Sequence, residues 1–165
     1  MKIYLDMDGV IADFFSGLEK KFVVKHWKQI PKIEQSITGL KCTDFFNTLE
    51  PFDTSAELVD FVKSIGTFGI CSSPLRGDRD NSAFWKRVWL NRHGFMPDEI
   101  EDLIFTGNKH QFAVDRFDGT PNILVDDKPD NISRWCEKGG IGIRYQANED
   151  SIITIKRKLN EAVRN

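Results

Sequence analysis

Cysteine is scarce and badly placed for cross-linking. The 165-residue chain holds three, Cys42, Cys71 and Cys136, far apart and without a C-x-x-C pair. An odd, scattered set excludes a disulfide framework and a thiolate metal centre, and leads us to expect a reducing, cytoplasmic setting. Long hydrophobic runs are missing. Nothing approaches the roughly 20 apolar residues of a membrane-spanning helix, and the sequence opens into a strand pattern rather than a leader, so no membrane partner is expected. Excess charge is missing too. A net charge of −2 gives no overall attraction to nucleic acid, which is not an expected partner. There is no internal repeat and no low-complexity stretch. What remains is 40% hydrophobic and 29% charged, the composition of a single globular domain with a real core.

Aromatic residues are abundant: thirteen Phe and four Trp, enough to line a pocket as well as fill a core. The organising stretch is Asp6-Met7-Asp8-Gly9-Val10, which follows the apolar run Ile3-Tyr4-Leu5. That run reads as a buried strand, and Gly9 lets the chain turn sharply away from it. Two carboxylates therefore stand at a strand's carboxyl end, where open parallel sheets bind ligands. An EF-hand calcium loop fits poorly, because its glycine and bidentate glutamate positions hold Ile11 and Gly17. Alone, an Asp-x-Asp pair is also compatible with a turn or a helix cap.

Further along, the pattern alternates. A helix is expected to start within Val10–Phe15 and run through Leu18, Phe22 and Val23. The basic piece Lys20–Lys28 reads either as a solvated helix face or as a wall attracting an anionic substrate. Pro31, Gly39 and Pro51 interrupt the next segment, so residues 16 to 50 read as a small helical cap inserted after the first strand. Thr54-Ser55-Ala56-Glu57 matches a capping box, with a helix to Gly66. Strands are expected at 67–71, 103–105, 123–125 and 141–143. Helices are expected near 82–93, with Phe84, Trp85, Val88 and Trp89 as core, at 129–137, and over the stripe Ile152, Ile155, Leu159, Val163. Such alternation predicts a Rossmann-like α/β fold, a parallel sheet with helices on both faces.

The strand ends carry the chemistry. The first ends in Asp6 and Asp8, the second in Ser72-Ser73-Pro74, the third is followed by Lys109, and the fourth ends in Asp126-Asp127-Lys128-Pro129. Carboxylates drawn from two strands suit Mg²⁺. Serine hydroxyls and a lysine ammonium suit phosphate oxygens. Lys128 is expected to point away into a helix start.

This ordered set resembles the haloacid dehalogenase superfamily of phosphohydrolases. More narrowly, Asp6–Phe14, Leu49-Glu50-Pro51, Cys71–Pro74 and Ile123–Asp130 resemble the 5'(3')-deoxyribonucleotidases, which usually carry Thr where this chain has Ser72. The resemblance implies a Mg²⁺-dependent phosphatase that acts on nucleoside monophosphates, small-molecule phosphomonoesters, through an aspartyl-phosphate. Asp6 would be nucleophile and Asp8 general acid and base. The ion would be held by Asp6, the Asp8 carbonyl and Asp127, with Asp126 behind them. Ser72, Ser73 and Lys109 would hold phosphate, and Phe14 would face the nucleoside, with Phe45 and Phe46 as further cap contributions. A polynucleotide 3'-phosphatase and a non-catalytic phosphate- or Mg²⁺-binding protein are the alternative readings.

Overall fold

Five short apolar segments extend as strands: β1 Lys2–Leu5, β2 Thr67–Ser72, β3 Leu103–Phe105, β4 Ile123–Asp126 and β5 Ile141–Arg144. They form one sheet in the order β3-β2-β1-β4-β5, every pair parallel. This computed structural model describes residues 1–164. β1 lies at the centre, with Tyr4 beside Gly69 of β2 and Leu124 of β4. The chain steps outward one way through β2 and β3, then returns to the other side of β1 for β4 and β5. The point of reversal, between β1 and β4, is where an open α/β sheet leaves a crevice at its carboxyl edge.

Side chains alternate across this sheet with the strand period of two. Ile3 and Leu5 join the larger buried cluster. It also takes Leu58 and Val62 from α3 (Ser55–Ile65), Trp89 and Leu90 from α4 (Arg79–His93), and Ile155 and Leu159 from α6 (Ile152–Arg164). Tyr4 points the other way, into a smaller cluster with Cys71, Ile104, Ala113, Leu124 and Trp135, the last from α5 (Pro129–Glu137). The faces are covered unequally. The connection from β3 to β4 holds no α-helix, only a single 3-10 turn, Lys109–Phe112. No helix among the described residues is long and apolar enough to cross a membrane.

Between β1 and α3 the chain forms α1 (Phe14–Phe22), a 3-10 turn at Trp27–Gln29, α2 (Ile33–Thr38) and a second 3-10 turn at Phe45–Thr48. α1 starts at Phe14 rather than earlier because the Ile11 and Ala12 amides first fold back onto the Met7 carbonyl. Asp13 then caps it, accepting from the Ser16 amide at 3.0 Å.

Three local expectations need correction. Thr54 precedes α3 but its side chain makes no cap bond; instead Ser55 donates from Oγ to the Ile11 carbonyl at 2.7 Å, tying the helix to the turn after β1. α4 begins at Arg79, three residues before Ser82. Its inward face is Ser82, Lys86, Trp89 and Leu90, while Phe84 is 56% exposed. Gly66 ends α3 in an extended conformation. A Cβ there would sit 2.9 Å from Ile3 Cδ1, so the glycine serves close approach rather than a left-handed cap.

Candidate active site

β1 delivers the first carboxylates. The Asp6 amide continues the pairing by donating to the Val125 carbonyl at 2.9 Å. Its Oδ1 accepts from the Met7 amide at 2.7 Å and its Oδ2 meets Lys109 Nζ at 2.9 Å. Gly9, at φ 77°, turns the chain where a side chain would be strained, and a Cβ there would lie 2.9 Å from Asp127 Oδ2. That one glycine therefore makes room both for the turn and for the Asp127 carboxylate.

Two lysines are buried beneath these acids. Lys109, 2% exposed, bridges Asp6 Oδ2 and Asp126 Oδ2, the latter at 2.5 Å. Lys86, fully buried in mid-α4, donates from Nζ to Asp8 Oδ2 at 2.6 Å, Ser72 Oγ at 2.9 Å and the Ser73 carbonyl at 2.9 Å. Its ammonium also sits 4.7 Å from the centre of the Phe46 ring. Burying a lone ammonium costs several kcal/mol, and even a well-paired one is no better for stability than a packed apolar residue. Two such lysines beneath one strand edge therefore point to function.

The four carboxyls respond differently to this setting. Burial alone would raise Asp6, but Lys109 and Lys86 overcome it and hold the carboxyl below its ordinary value. Asp8 moves the other way: burial raises it, Lys86 opposes, and the charge on Asp6 adds to the rise. Asp126 is raised by burial and by Asp6 against the pull of Lys109. Asp127 is pushed up to about 7 by burial, then by Asp6 and Asp126.

Asp6, Asp126 and Asp127 each offer a carboxylate oxygen, and these oxygens lie within 4.8 Å of one another. Asp126 is saturated: besides Lys109 it accepts from the Lys128 amide and from Asn131 Nδ2 on α5. Asp127 Oδ1 is buried with no hydrogen-bond partner, and so is Asp8 Oδ1. An all-oxygen set with unpartnered buried oxygens fits a hard divalent cation.

Above this floor opens a cavity of about 460 Å³. Asp6, Asp8, Ser73, Asp127 and Lys128 line its polar end. Phe14, Phe15, Leu18, Trp27, Ile33, Ile37 and Phe46 form an apolar wall, and Pro74, Leu75, Arg76 and Gln146 complete the lining. Phe14 and Phe46 lie nearly parallel, with ring centres 6.3 Å apart. Trp27 packs on Phe15 at 5.2 Å, and Glu19 Oε1 holds its amide at 3.0 Å.

A family profile described as "5' nucleotidase, deoxy (Pyrimidine), cytosolic type C protein" matches residues 1–159. The chain belongs to this family. Two 5'(3')-deoxyribonucleotidases named as mitochondrial, from Mus musculus and Homo sapiens, are similar to it. Each is 27% identical over 154 and 153 residues respectively, covering 79% of this chain. The chain spans 66% and 63% of their lengths, less than two thirds in both cases. The fold is that of haloacid dehalogenase-like hydrolases. A solved dehalogenase shares it at a TM-score of 0.61 and 12% identity, over 91% of this chain and 86% of that one. A hydrolase from Streptococcus pneumoniae shares it at 0.55 and 10%, over 96% and 97%.

For this 5' nucleotidase family member, the residues expected from sequence converge on one edge. Asp6, Asp8, Ser73, Asp127 and Phe14 line the cavity; Ser72, Lys109 and Asp126 lie just beneath, bonded to Lys86 or to the carboxylates. The Asp8 carboxylate is not among the clustered oxygens, since Lys86 takes its Oδ2. Lys128 does not point away: it is exposed and lines the cavity. Phe45 lies on the far side of α1, in a separate cleft with Gly17 and Thr48, and only Phe46 reaches the cavity. Sequence reasoning missed Lys86, and it left open whether Trp27 serves the cap. Lys86 had a signal, because Ser82, Lys86, Trp89 and Leu90 share one helical face. Trp27 had none, because its position depends on a 3-10 turn held by Glu19.

Proposed function

We propose that this protein is a Mg²⁺-dependent phosphatase that hydrolyses nucleoside monophosphates through a phosphorylated Asp6. One observation carries this reading: at one strand end Asp6 is paired with buried Lys109, while Asp8 is held by Lys86 on one oxygen and has its other buried oxygen unpartnered, an arrangement that drives the Asp6 carboxyl down and the Asp8 carboxyl up. Two acids whose environments separate their protonation are the mark of divided roles. Asp6, kept ionised by Lys109 and Lys86, is the nucleophile that takes the phosphoryl group. Asp8, its carboxyl raised above the ordinary value by burial, gives its proton to the leaving alkoxide oxygen. It then accepts one from the water that hydrolyses the aspartyl-phosphate. Ser72, Ser73 and Lys109 hold the phosphoryl oxygens, and Lys86 fixes Asp8 and Ser72 relative to each other. Mg²⁺, when bound, neutralises charge on the phosphoryl group. Asp6 and Asp127 would hold it with the Asp8 main-chain carbonyl, while Asp126 orients Lys109 from behind.

The segment spanning residues 16 to 50 acts in this proposal as the cap that selects the leaving group. Its Leu18, Trp27, Ile33, Ile37 and Phe46 join Phe14 and Phe15 in an apolar wall, which suits a flat base and a sugar with few hydroxyls. A ribose 2'-OH buried there without a partner costs about 1–3 kcal/mol. The test is phosphate release from matched deoxy- and ribonucleoside monophosphates, sugar phosphates and an aryl phosphate. Deoxyribonucleotides should lead their ribo forms by about tenfold in kcat/KM, the lower end of that cost for a partly open pocket. Equal kcat/KM across all four classes would overturn the nucleotide reading.

A further inference from the structure

The stretch from Lys20 to Lys32 contains five lysines and no acidic residue, in a chain whose net charge is −2. Lys20, Lys21, Lys25, Lys28 and Lys32 are all exposed. Among the described residues none of them forms a salt bridge, whereas Lys156, Arg144 and Arg157 on other surfaces do. Five unpaired cations thus fall within thirteen residues of the chain. Aromatic and apolar surface lies between them. Val23 is 91% exposed. The His26 and Trp27 rings stack at an interplanar angle of 25°, with the Lys28 ammonium 5.4 Å from the Trp27 ring centre.

Trp27 joins this lysine strip to the cavity, because the same ring lines the apolar wall above Asp6 and Asp8, while Lys20 and Lys21 line the cleft on the other side of α1. A phosphate monoester seated on that floor and carrying only one nucleoside would leave the strip unused. A longer substrate would cross it. Free lysines spaced along a path, with stacked rings among them, are the equipment of single-strand binding, in which cations follow the phosphates and bases stack on aromatic faces. A folded protein partner would require shape complementarity, and an exposed, unpaired lysine strip supplies none.

We infer that Lys20–Lys32 binds the backbone of a single-stranded oligodeoxynucleotide whose terminal phosphate monoester enters the cavity. The inference rests on the proposed phosphatase function for the chemistry at that terminus. The bond broken is the terminal ester P–O bond: phosphorus passes to Asp6, the freed nucleoside hydroxyl takes the Asp8 proton, and water releases inorganic phosphate. The strip adds affinity, not a new step.

Binding can be measured apart from turnover, by fluorescence anisotropy of a labelled decadeoxynucleotide phosphorylated at its 3' or its 5' end. If three lysines contact phosphates, raising salt from about 50 to 200 mM should weaken binding roughly twentyfold. Charge reversal at Lys25→Glu and Lys28→Glu together should weaken it at least tenfold, with the melting temperature unchanged. In turnover, the same pair should raise KM for the phosphorylated decamer and leave kcat/KM for a mononucleotide within threefold. The 3' and 5' arms then report which terminus the cavity accepts. Binding that ignores both salt and charge reversal would overturn the inference. So would a decamer that binds as expected but gives less than a hundredth of the mononucleotide kcat/KM at both termini. If the decamer binds as described and no phosphomonoester at all is hydrolysed, the strip stands and the phosphatase reading falls.

Discussion

The floor and the wall of the cavity are built on opposite principles. The floor is charged and held by ion pairs and hydrogen bonds: Lys109 and Lys86 clasp Asp6, Asp126, Asp8 and Ser72 at 2.5–2.9 Å. The wall is apolar and its side chains meet by contact, as where Phe14 lies over Phe46. Every floor residue sits on a strand end or beneath one, fixed by the sheet. The wall comes from short helices and 3-10 turns, the longest of them the nine residues of α1. Chemistry needs groups held within fractions of an ångström and stands on the sheet. Selection of the leaving group tolerates a softer element. The two regions should therefore fail differently.

The largest effect should come from the floor. Asp6→Asn removes the proposed nucleophile, and kcat should drop by at least about a thousandfold, the upper range for losing a single oxyanion donor. Steady-state phosphate release from folded mutant decides it. A residual rate above about a tenth, only 1.4 kcal/mol of barrier, would break the contrast.

Metal removal comes next. A chelator should abolish turnover and Mg²⁺ should restore it better than Ca²⁺, which is larger and accepts more ligands. The floor also predicts a stability signature. Asp127 is raised to about 7 from an unfolded value near 3.9, so the folded protein holds that proton more tightly. Its contribution is whole below about pH 4 and is lost as pH climbs through about 7. Asp6, shifted downward, acts only below that window. Melting scans without metal should show Tm falling from pH 5 to pH 8, and Mg²⁺ should raise Tm more at pH 8 than at pH 5. The reverse ranking would mean that Asp127 does not carry the cation.

Lys86→Met sharpens the comparison within the floor. Lys86 lowers both Asp6 and Asp8, so its loss should raise both. The acid limb of kcat/KM needs Asp6 ionised and the alkaline limb needs Asp8 protonated; both limbs should move to higher pH. A profile that falls in height without moving would reduce Lys86 to packing.

The smallest effect belongs to the wall. Phe14→Ala should raise KM for a nucleotide several-fold and leave kcat/KM for a small aryl phosphate nearly unchanged, because only the nucleotide reaches that ring. Equal losses on both substrates would show that Phe14 supports the floor as well.

The same division governs how much could be read from the sequence. Strand ends were legible because each apolar run stops abruptly at a polar pair, and parallel order brings those pairs to one edge. Asp6, Asp8, Ser72, Lys109, Asp126 and Asp127 all follow from that rule. Lys86 was missed although it shares a helical face with Ser82, Trp89 and Leu90, because a lysine between Trp85 and Arg87 reads as solvent-facing until its bonds to Asp8 and Ser72 are seen. Phe84 erred in the opposite sense: its spacing to Val88 suggested core, yet α4 is rotated so that Trp89 and Leu90 take that place. The wall was the least legible part, because short helices and 3-10 turns carry little periodicity. Phe46 and Phe45 are adjacent, and nothing local says which one enters the cavity.

The crossover from β3 to β4 gives Lys109 an exposure of another kind. This buried lysine stands at the start of a single 3-10 turn, over the smaller of the two buried clusters. Such a turn can open without the rest of the sheet coming apart, at a free energy below that of global unfolding. In hydrogen–deuterium exchange, the amides of Gln111 and Ala113, bonded to the Asn108 and His110 carbonyls, would lose protection before those of β1. Each such opening would draw Lys109 out from between Asp6 and Asp126. A protein still folded by every bulk measure would then be transiently switched off, at a rate set by the thinnest part of its covering.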